Sequence, residues 1–148
     1  MGNRWKWINV PIPEVHVVLI VAGVILNVFW PLSIGWDGRL ATGIGSALIA
    51  VSVALVGWAT VAAGRVKLAD PDRLITTGPY GMSRHPMYVA WTILYLGMLL
   101  ILDSGWLLMF LPALAVWVNW ESRREEKRLV EAFGPAYAEY RSRVRRYI

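Results

Sequence analysis

The chain has 148 residues, of which 57% are hydrophobic and 17% charged, and it carries nine Trp residues and a formal net charge of +5. Water-soluble domains contain about 25% charged residues, so this composition excludes an ordinary soluble domain and indicates a membrane protein. The lack of Cys excludes disulfide frameworks, thiolate metal sites and cysteine nucleophiles. His16 and His85 are the only histidines and stand 69 positions apart, so we expect no bound metal.

Four stretches without Asp, Glu, Lys or Arg are the main organising feature of the chain. They cover residues 15–36, 40–64, 85–102 and 104–120. A bilayer core of roughly 30 Å requires about 20 apolar residues in a helix, so each stretch is a candidate span. Only Asp103 separates the last two, which predicts a helical hairpin. The sequence therefore predicts an all-α integral membrane protein with about four transmembrane helices, followed by a cytoplasmic C-terminal helical segment.

Fourteen of the fifteen Lys and Arg residues fall on one side of these predicted spans, and Arg39 alone falls on the other. Cytoplasmic loops are rich in Lys and Arg, so both termini and the loop 65–84 are predicted to face the cytoplasm. The stretch 15–36 is too long for the apolar region of a signal peptide, about 7–15 residues. The basic residues are explained by topology and lipid headgroups, so we expect membrane lipids as partners and no nucleic acid.

The predicted location is the inner membrane of a prokaryotic cell, because the sequence has no Cys and no sizeable segment on the side opposite the cytoplasm. Two further patterns concern packing. Gly43, Ala47, Ala50 and Ala54 recur at helical spacing, which predicts close contact between helices. Several indoles fall near span ends, where they suit the headgroup region. These are Trp5, Trp7, Trp30, Trp36, Trp106, Trp117 and Trp120.

The segment 70–88 is a turn-rich cytoplasmic loop that leads directly into the third span. Pro86 suits the first turn of a helix, where its missing N–H has no cost. Free N–H groups at such a helix start favour a carboxylate or phosphate, and Arg84 and His85 add two more donors. An alternative interpretation is structural: Arg84 anchors to lipid phosphate and His85 caps the helix.

The segment 121–140 carries two helical faces. Its charged face is formed by Glu121, Arg124, Glu125 and Arg128, which follow the spacing of ion pairs along a helix. A solvated ladder of such pairs is the alternative to a functional face. Glu126 falls on a second, mainly apolar stripe, so its carboxylate requires a partner.

Gly134 and Pro135 break this helix. A second amphipathic helix is predicted beyond them. It places Tyr137, Tyr140, Val144 and Tyr147 opposite Arg143, Arg145 and Arg146. Such a helix is typical of one that lies on an anionic leaflet.

These motifs together resemble the isoprenylcysteine carboxyl methyltransferase family and its phospholipid N-methyltransferase relatives. The motifs are Gly78-Pro-Tyr80, Arg84-His-Pro-x-Tyr88, Glu125-Glu126-x-x-Leu129 and Phe133-Gly134-x-x-Tyr137-x-x-Tyr140. The resemblance covers residues 70–148. It implies a membrane enzyme that binds S-adenosylmethionine at the cytoplasmic face without a Rossmann fold. Family members often have a proline directly after the valine that corresponds to Val144, whereas this chain has Arg145 there.

The resemblance also implies roles for individual residues. Those expected to contact the cofactor are Tyr80, His85, Pro86, Tyr88, Glu121 and Glu125. Those expected to serve catalysis are Arg84, Arg124 and Glu125, the two arginines near the methionyl carboxylate or the acceptor. S-adenosylmethionine carries a sulfonium, an ammonium, a carboxylate and an adenine, which aromatic, acidic and donor groups can bind. An amine acceptor requires a base, for which His85 and Glu125 are the candidates.

The chain is therefore predicted to be one domain over 1–148, with two spans in 1–69 and the cofactor-binding unit in 70–148. The expected activity is methyl transfer from S-adenosylmethionine to a lipophilic acceptor, either a prenylcysteine-like carboxylate or a lipid amine. Two alternatives remain. One is a sterol-reductase-like membrane reductase that uses NADPH, and the other is a non-enzymatic membrane scaffold.

Overall fold

The computed structural model describes residues 13–64 and 73–148, and within these ranges the protein is helical without a β-strand. The helices are α1 Glu14–Phe29, α2 Gly38–Ala63, α3 Pro86–Ile101, α4 Gly105–Phe133 and α5 Pro135–Arg143, with a 3₁₀ turn at Gly78–Gly81. The predicted all-α class is confirmed. The start of the predicted loop at 70–72 and the domain boundary at 69/70 lie outside the described residues. So do Arg4, Trp5, Lys6, Trp7, Arg65 and Lys67.

One helix within the described ranges, α2, is long and apolar enough by length and composition to cross a membrane. Helices α1 and α3 are apolar, but each has 16 residues and is therefore about 24 Å long. This is shorter than the bilayer core of roughly 30 Å. The fold thus contains one clear membrane-length helix together with shorter apolar ones.

Helix α1 ends at Phe29, seven residues before the predicted end of the first span, so that boundary was wrong. The reason is Pro31, since a residue before proline is driven out of the helical region. Trp30 accordingly has φ −137° and ψ 78°. Apolar character alone did not reveal this break.

Helix α2 begins at Asp37, whose carboxylate accepts hydrogen bonds from the N–H groups of Arg39 at 3.1 Å and Leu40 at 2.9 Å. It packs extensively on α3. The backbones approach closely at Gly45 and Gly97, where a Cβ added to either glycine meets the carbonyl oxygen of the other at 2.8 Å. Only glycine fits at such a crossing.

The predicted packing stripe on α2 was wrong for this chain. Gly43, Ala47, Ala50 and Ala54 are exposed, and no atom lies within 4 Å of a Cβ added to Gly43. The face that packs on α3 is about 180° away around the helix and also consists of small residues. It comprises Ala41, Gly45, Ser52, Ala59 and Ala63.

Helix α4 joins two segments that the sequence analysis treated separately, the fourth span and the charged helix after it. It runs unbroken over 29 residues, or about 44 Å. A short turn links it to α3, and the Tyr95 hydroxyl donates to the carbonyl of Leu107 at 2.7 Å. The most extensive packing of α4 is nevertheless with α1, and that of α3 is with α2. The two helices are therefore consecutive without being each other's main partner.

The turn between α3 and α4 is tied to the connection between α1 and α2. The carboxylate of Asp103 accepts hydrogen bonds from the Ser33 hydroxyl and from the N–H groups of Gly35 at 3.1 Å and Trp36 at 3.4 Å. The Trp106 indole donates to the carbonyl of Trp30 at 2.7 Å. These contacts close the end of the bundle opposite His85.

The chain after α5 does not continue as the predicted amphipathic helix. Helix α5 ends at Arg143, and Val144 is extended with φ −116° and ψ 131°. The following residues run beside the loop before α3: the N–H of Arg84 donates to the carbonyl of Arg145 at 2.9 Å, and that of His85 to Arg146 at 3.2 Å. Backbone N–H groups in a buried loop require acceptors, and this pairing supplies them.

Candidate active site

Three segments that are distant in sequence meet at one end of the bundle: the loop before α3, the C-terminal part of α4, and the chain after α5. His85 immediately precedes α3, and Pro86 occupies the first helical position, as predicted. Ser83 reinforces the junction, because its hydroxyl donates to the carbonyl of Arg146 at 3.2 Å. The site is therefore fixed by main-chain contacts as well as by side chains.

Glu126 is the centre of this junction. Its buried carboxylate accepts two hydrogen bonds from Arg146, one from Nε at 2.8 Å and one from Nη2 at 2.9 Å. Arg84 Nη2 lies 3.1 Å and His85 Nε2 3.3 Å from the same Oε1 atom. A buried carboxylate is stable only with such partners. The sequence analysis expected a partner for Glu126, and these three cations supply it.

The environment shifts the pKa of both central groups. Burial alone raises the pKa of Glu126, but the hydrogen bonds from His85 and Arg146 and the charge of Arg84 outweigh it, so the pKa lies well below its ordinary value. Burial alone lowers the pKa of His85, but its hydrogen bonds to Glu125 and Glu126 and their charges outweigh it, so the pKa lies above 6.5. The geometry therefore favours an ionised Glu126 and a protonated His85.

His85 also faces outward from this centre. Its Nδ1 lies 3.4 Å from Oε2 of Glu125, whose side chain is 37% exposed, whereas that of His85 is 2% exposed. The rings of Tyr88 and Tyr147 lie 5.7 Å and 6.3 Å from the imidazole. His85 thus links a closed ion cluster on one side with an accessible carboxylate and aromatic rings on the other.

A small pocket adjoins Glu125. It has a volume of about 40 Å³ and is lined by Arg73, Leu74, Ile75, Tyr80, Arg84, Glu125, Leu129 and Tyr140. Within the described parts of the chain, the buried Tyr80 hydroxyl and Arg84 Nε have no hydrogen-bond partner. Burial raises the pKa of Tyr80, with a further contribution from the charge of Glu125, so its hydroxyl keeps its proton. The pocket therefore offers donors and a carboxylate side by side.

Most of the predicted site residues are brought together. Tyr80, Arg84, His85, Pro86, Tyr88 and Glu125 all lie at this junction. Arg124 does not contact it: its side chain is 53% exposed, lies 3.9 Å from Glu121 and stacks 5.4 Å from the Trp120 ring centre. Glu121 precedes Glu125 by four positions and lies on the same face of α4. Successive helical residues are rotated by about 100°, which turns Arg124 away from Glu125.

Two central residues, Glu126 and Arg146, were absent from the predicted set of site residues. The sequence did point to Glu126, because it is a carboxylate on an apolar helical stripe. Arg146 had no such signal, because its partner is 20 positions away and the segment was interpreted as lying on the leaflet. Tyr147 was missed similarly: its hydroxyl donates to Ser122 Oγ at 3.3 Å.

Comparison with known proteins shows which protein family the chain belongs to. The profile of the family described as phospholipid methyltransferase matches residues 38–136. The protein-S-isoprenylcysteine O-methyltransferase of Rattus norvegicus is 31% identical over 125 residues, which cover 80% of this chain and 44% of the rat protein. The Homo sapiens protein of that name gives the same identity and coverage. The Saccharomyces cerevisiae one is 38% identical over 81 residues, 54% of this chain and 34% of its own.

The chain therefore belongs to the phospholipid methyltransferase family. The resemblance to isoprenylcysteine carboxyl methyltransferases, inferred from the motifs, is confirmed. The chain spans less than half the length of the relatives it matches.

Proposed function

We propose that this protein is a membrane methyltransferase that transfers a methyl group from S-adenosylmethionine to a lipophilic acceptor. The observation that carries the proposal is the junction around His85, where Tyr80, Arg84 and Glu125 line one pocket in a chain of this family. The family match also favours a methyltransferase over the two alternatives, a reductase and a scaffold.

The chemistry of the donor set fits the polar end of S-adenosylmethionine. Arg84 and the Tyr80 hydroxyl suit the methionyl carboxylate, and Glu125 suits the ammonium. The uncommitted buried Tyr80 hydroxyl and Arg84 Nε, within the residues described, are donors for such a ligand. The pocket volume of about 40 Å³ suits a small polar group of the ligand.

When bound, S-adenosylmethionine supplies an activated methyl group on its sulfonium. The residues of this chain then have to bind and orient the reactants and exclude water. The hydrogen bonds and charges of Glu125 and Glu126 raise the pKa of His85 above 6.5 despite its burial, which favours its protonated form. A carboxylate acceptor needs no deprotonation, whereas an amine acceptor requires a base, for which His85 and Glu125 are the candidates.

The membrane arrangement that we propose has four spans: α2, the shorter α1 and α3, and the first half of α4. The distribution of Lys and Arg supports a cytoplasmic location for both termini and the His85 end, in a prokaryotic inner membrane. A basic cleft between α4 and α5 supports contact with anionic lipids. It has a volume of about 370 Å³ and is lined by Arg123, Glu126, Lys127, Val130, Glu131, Arg141 and Arg146.

The experiment is calorimetric titration of S-adenosylmethionine and S-adenosylhomocysteine into the protein in lipid nanodiscs. We expect micromolar binding that weakens at least tenfold in Glu125→Ala and in Tyr88→Ala. Glu139→Ala is the matched control, since Glu139 is 70% exposed and pairs only with Arg143 among the described residues. Unchanged affinity in both site variants rejects the proposed site, and no binding by the wild type rejects the proposed cofactor.

A further inference from the structure

The basic cleft between α4 and α5 carries more positive than negative charge. Its volume of about 370 Å³ lies in the range of about 300–1,000 Å³ that is usual for ligand sites. This excess of positive charge favours an anionic ligand. Two carboxylates, Glu126 and Glu131, line the cleft together with four cationic side chains, Arg123, Lys127, Arg141 and Arg146.

Glu126 does not neutralise the other cations of the cleft. It is 4% exposed and already accepts two hydrogen bonds from Arg146, and Arg84 Nη2 lies 3.1 Å from its Oε1 atom. Among the described residues, Lys127 and Arg141 make no ion pair, and both are exposed. These two cations are therefore available to a ligand.

The cleft is separate from the small pocket that adjoins Glu125. Lys127 follows Glu125 by two positions, and a rotation of about 100° per residue places the two side chains on roughly opposite faces of α4. The cleft is therefore a second site on the molecule. It is joined to the first through Glu126, which contacts Arg84 of the pocket and Arg146 of the cleft.

The cationic groups of the cleft suit a phosphate. Three of the four are arginines, whose planar guanidinium can donate parallel hydrogen bonds to two oxygens of one phosphate. Arg146 is already held in position by Glu126, so its ordering costs little when a ligand binds. A phosphomonoester carries a charge of about −1.5 to −2 and three acceptor oxygens at neutral pH. These three oxygens match the three remaining cations, Arg123, Lys127 and Arg141.

The position of the cleft along α4 favours a lipid as the source of the phosphate. The charge-free part of the helix ends at Trp120, which is 55% exposed, and exposed indoles favour the headgroup region. Arg123 and Lys127 follow about 4.5 Å and about 10.5 Å further along the helix. The headgroup layer on each side of a bilayer is about 5–8 Å thick, and long basic side chains can reach back towards it. In the proposed membrane arrangement, the cleft therefore lies at the level of the lipid phosphates.

We propose that the four cationic side chains of the basic cleft bind the phosphate of an anionic membrane lipid, at a site distinct from the one for methyl transfer. The lipid bound there is a ligand and not the methyl acceptor. The inference goes beyond the proposed function: it rests on the membrane arrangement proposed there and not on S-adenosylmethionine binding. A phosphomonoester headgroup, as in phosphatidic acid, is the preferred ligand, because its phosphate carries the most charge.

The first test is calorimetric titration of dihexanoyl phosphatidic acid and dihexanoyl phosphatidylcholine into the protein in an uncharged detergent. We expect the acid to bind at least tenfold more tightly than the zwitterionic lipid. Its affinity should fall about tenfold in the double variant Lys127→Gln/Arg141→Gln, because hydrogen bonds to a charged group are lost. This variant keeps the contacts of Arg146 with Glu126. Equal affinity for the acid in wild type and variant overturns the proposal.

The matched control is Arg128→Gln/Arg143→Gln, which removes the same charge from the same two helices. Arg128 and Arg143 are exposed and do not line the cleft. We expect this variant to bind the acid as tightly as the wild type does. An equal loss of affinity in both double variants indicates general attraction to basic helices and overturns a defined site.

Glu131 provides a test with the opposite sign. It lines the same cleft, and within the described parts of the chain it makes no ion pair. Its carboxylate repels a phosphate, so Glu131→Gln should bind the acid severalfold more tightly than the wild type does. Damage to the fold cannot imitate such a gain. Unchanged or weaker affinity overturns the position of the phosphate in the cleft.

Inorganic phosphate and S-adenosylmethionine are titrated into the same preparations. We expect phosphate alone to bind at least tenfold more weakly than the acid, whose acyl chains hold it at the micelle surface, and equal affinities overturn a lipid as the source. If the wild type binds the acid through the cleft but does not bind S-adenosylmethionine, the proposed function fails and the lipid site stands. If it binds S-adenosylmethionine while the acid does not distinguish the variants, only the lipid site is wrong.

Discussion

Asp103 and Glu126 lie at opposite ends of the bundle and show how burial changes the structural role of a carboxylate. Asp103 is partly exposed and is held by neutral donors, the Ser33 hydroxyl and the N–H groups of Gly35 and Trp36. Glu126 is 4% exposed and is held by Arg84, His85 and Arg146. Both tie distant segments of the chain together.

The difference lies in what each carboxylate requires. Water screens the charge of Asp103, so hydrogen bonds suffice and the contact serves the turn. Glu126 has lost most of its water, so cations have to surround it, and their own positions become fixed in return. Glu126 therefore fixes the positions of Arg84 and His85 beside the pocket. Asp103 only connects two turns at the opposite end of the bundle.

The largest effect that we expect comes from removing the charge of Glu126. Glu126→Gln leaves Arg84 and Arg146 without their counter-charge in a buried site, and breaking such a pair costs about 3–5 kcal/mol. Thermal unfolding in nanodiscs should show a markedly lower midpoint, and S-adenosylmethionine affinity should fall as well.

The matched control for this loss is Glu139→Gln, which removes one carboxylate from an exposed ion pair on α5. Exposed pairs contribute at most about 1 kcal/mol, so its midpoint should stay near that of the wild type. Equal midpoints for the two variants would show that Glu126 is not a central contact.

The second prediction concerns pH and His85. Its pKa in the folded protein lies above 6.5, so its stabilising contribution is fully present below 6.5 and is lost as pH rises through the folded pKa. The unfolding midpoint of the wild type should therefore fall between pH 6.5 and the folded pKa more steeply than that of His85→Gln. ¹⁵N titration of the histidine ring measures the same pKa directly, and a value below 6.5 contradicts the cluster.

The smallest effect is expected at the less buried end, with Asp103→Asn. Asp103 has φ 44°, which asparagine tolerates, and the amide oxygen keeps one acceptor for the Gly35 N–H. The unfolding midpoint should change much less than in Glu126→Gln, with unchanged S-adenosylmethionine affinity. A larger decrease in the unfolding midpoint for Asp103→Asn than for Glu126→Gln would show that Asp103 contributes more to stability than Glu126.

Much of the fold could be predicted because charge-free runs are local signals. Helix α2 and the start of α3 at Pro86 follow directly from them. The early end of α1 was predictable in principle from Pro31, but the apolar run through Trp36 concealed it. The unbroken α4 was missed because the boundary between apolar and charged halves looked like the end of a helix.

The site was predictable where its residues share a motif and not where they meet through tertiary contacts. His85, Pro86 and Tyr88 are neighbours in sequence, and Glu125 belongs to a recognisable pattern. The partner of Glu126 is Arg146, whose position depends on an extended segment paired with residues 83–85. Helical periodicity could not reveal that α5 ends at Arg143.

The measurement that tests the central claim most directly is methyl transfer itself. S-adenosylmethionine with a labelled methyl group is incubated with nanodiscs that contain the protein and farnesylthioacetic acid, and the organic extract is counted. We expect labelled methyl ester with the wild type and at most a tenth as much with Glu125→Ala. Labelled product at equal rates in both proteins, or none with a wild type that binds the cofactor, would contradict a carboxyl-methylating site at the His85 junction.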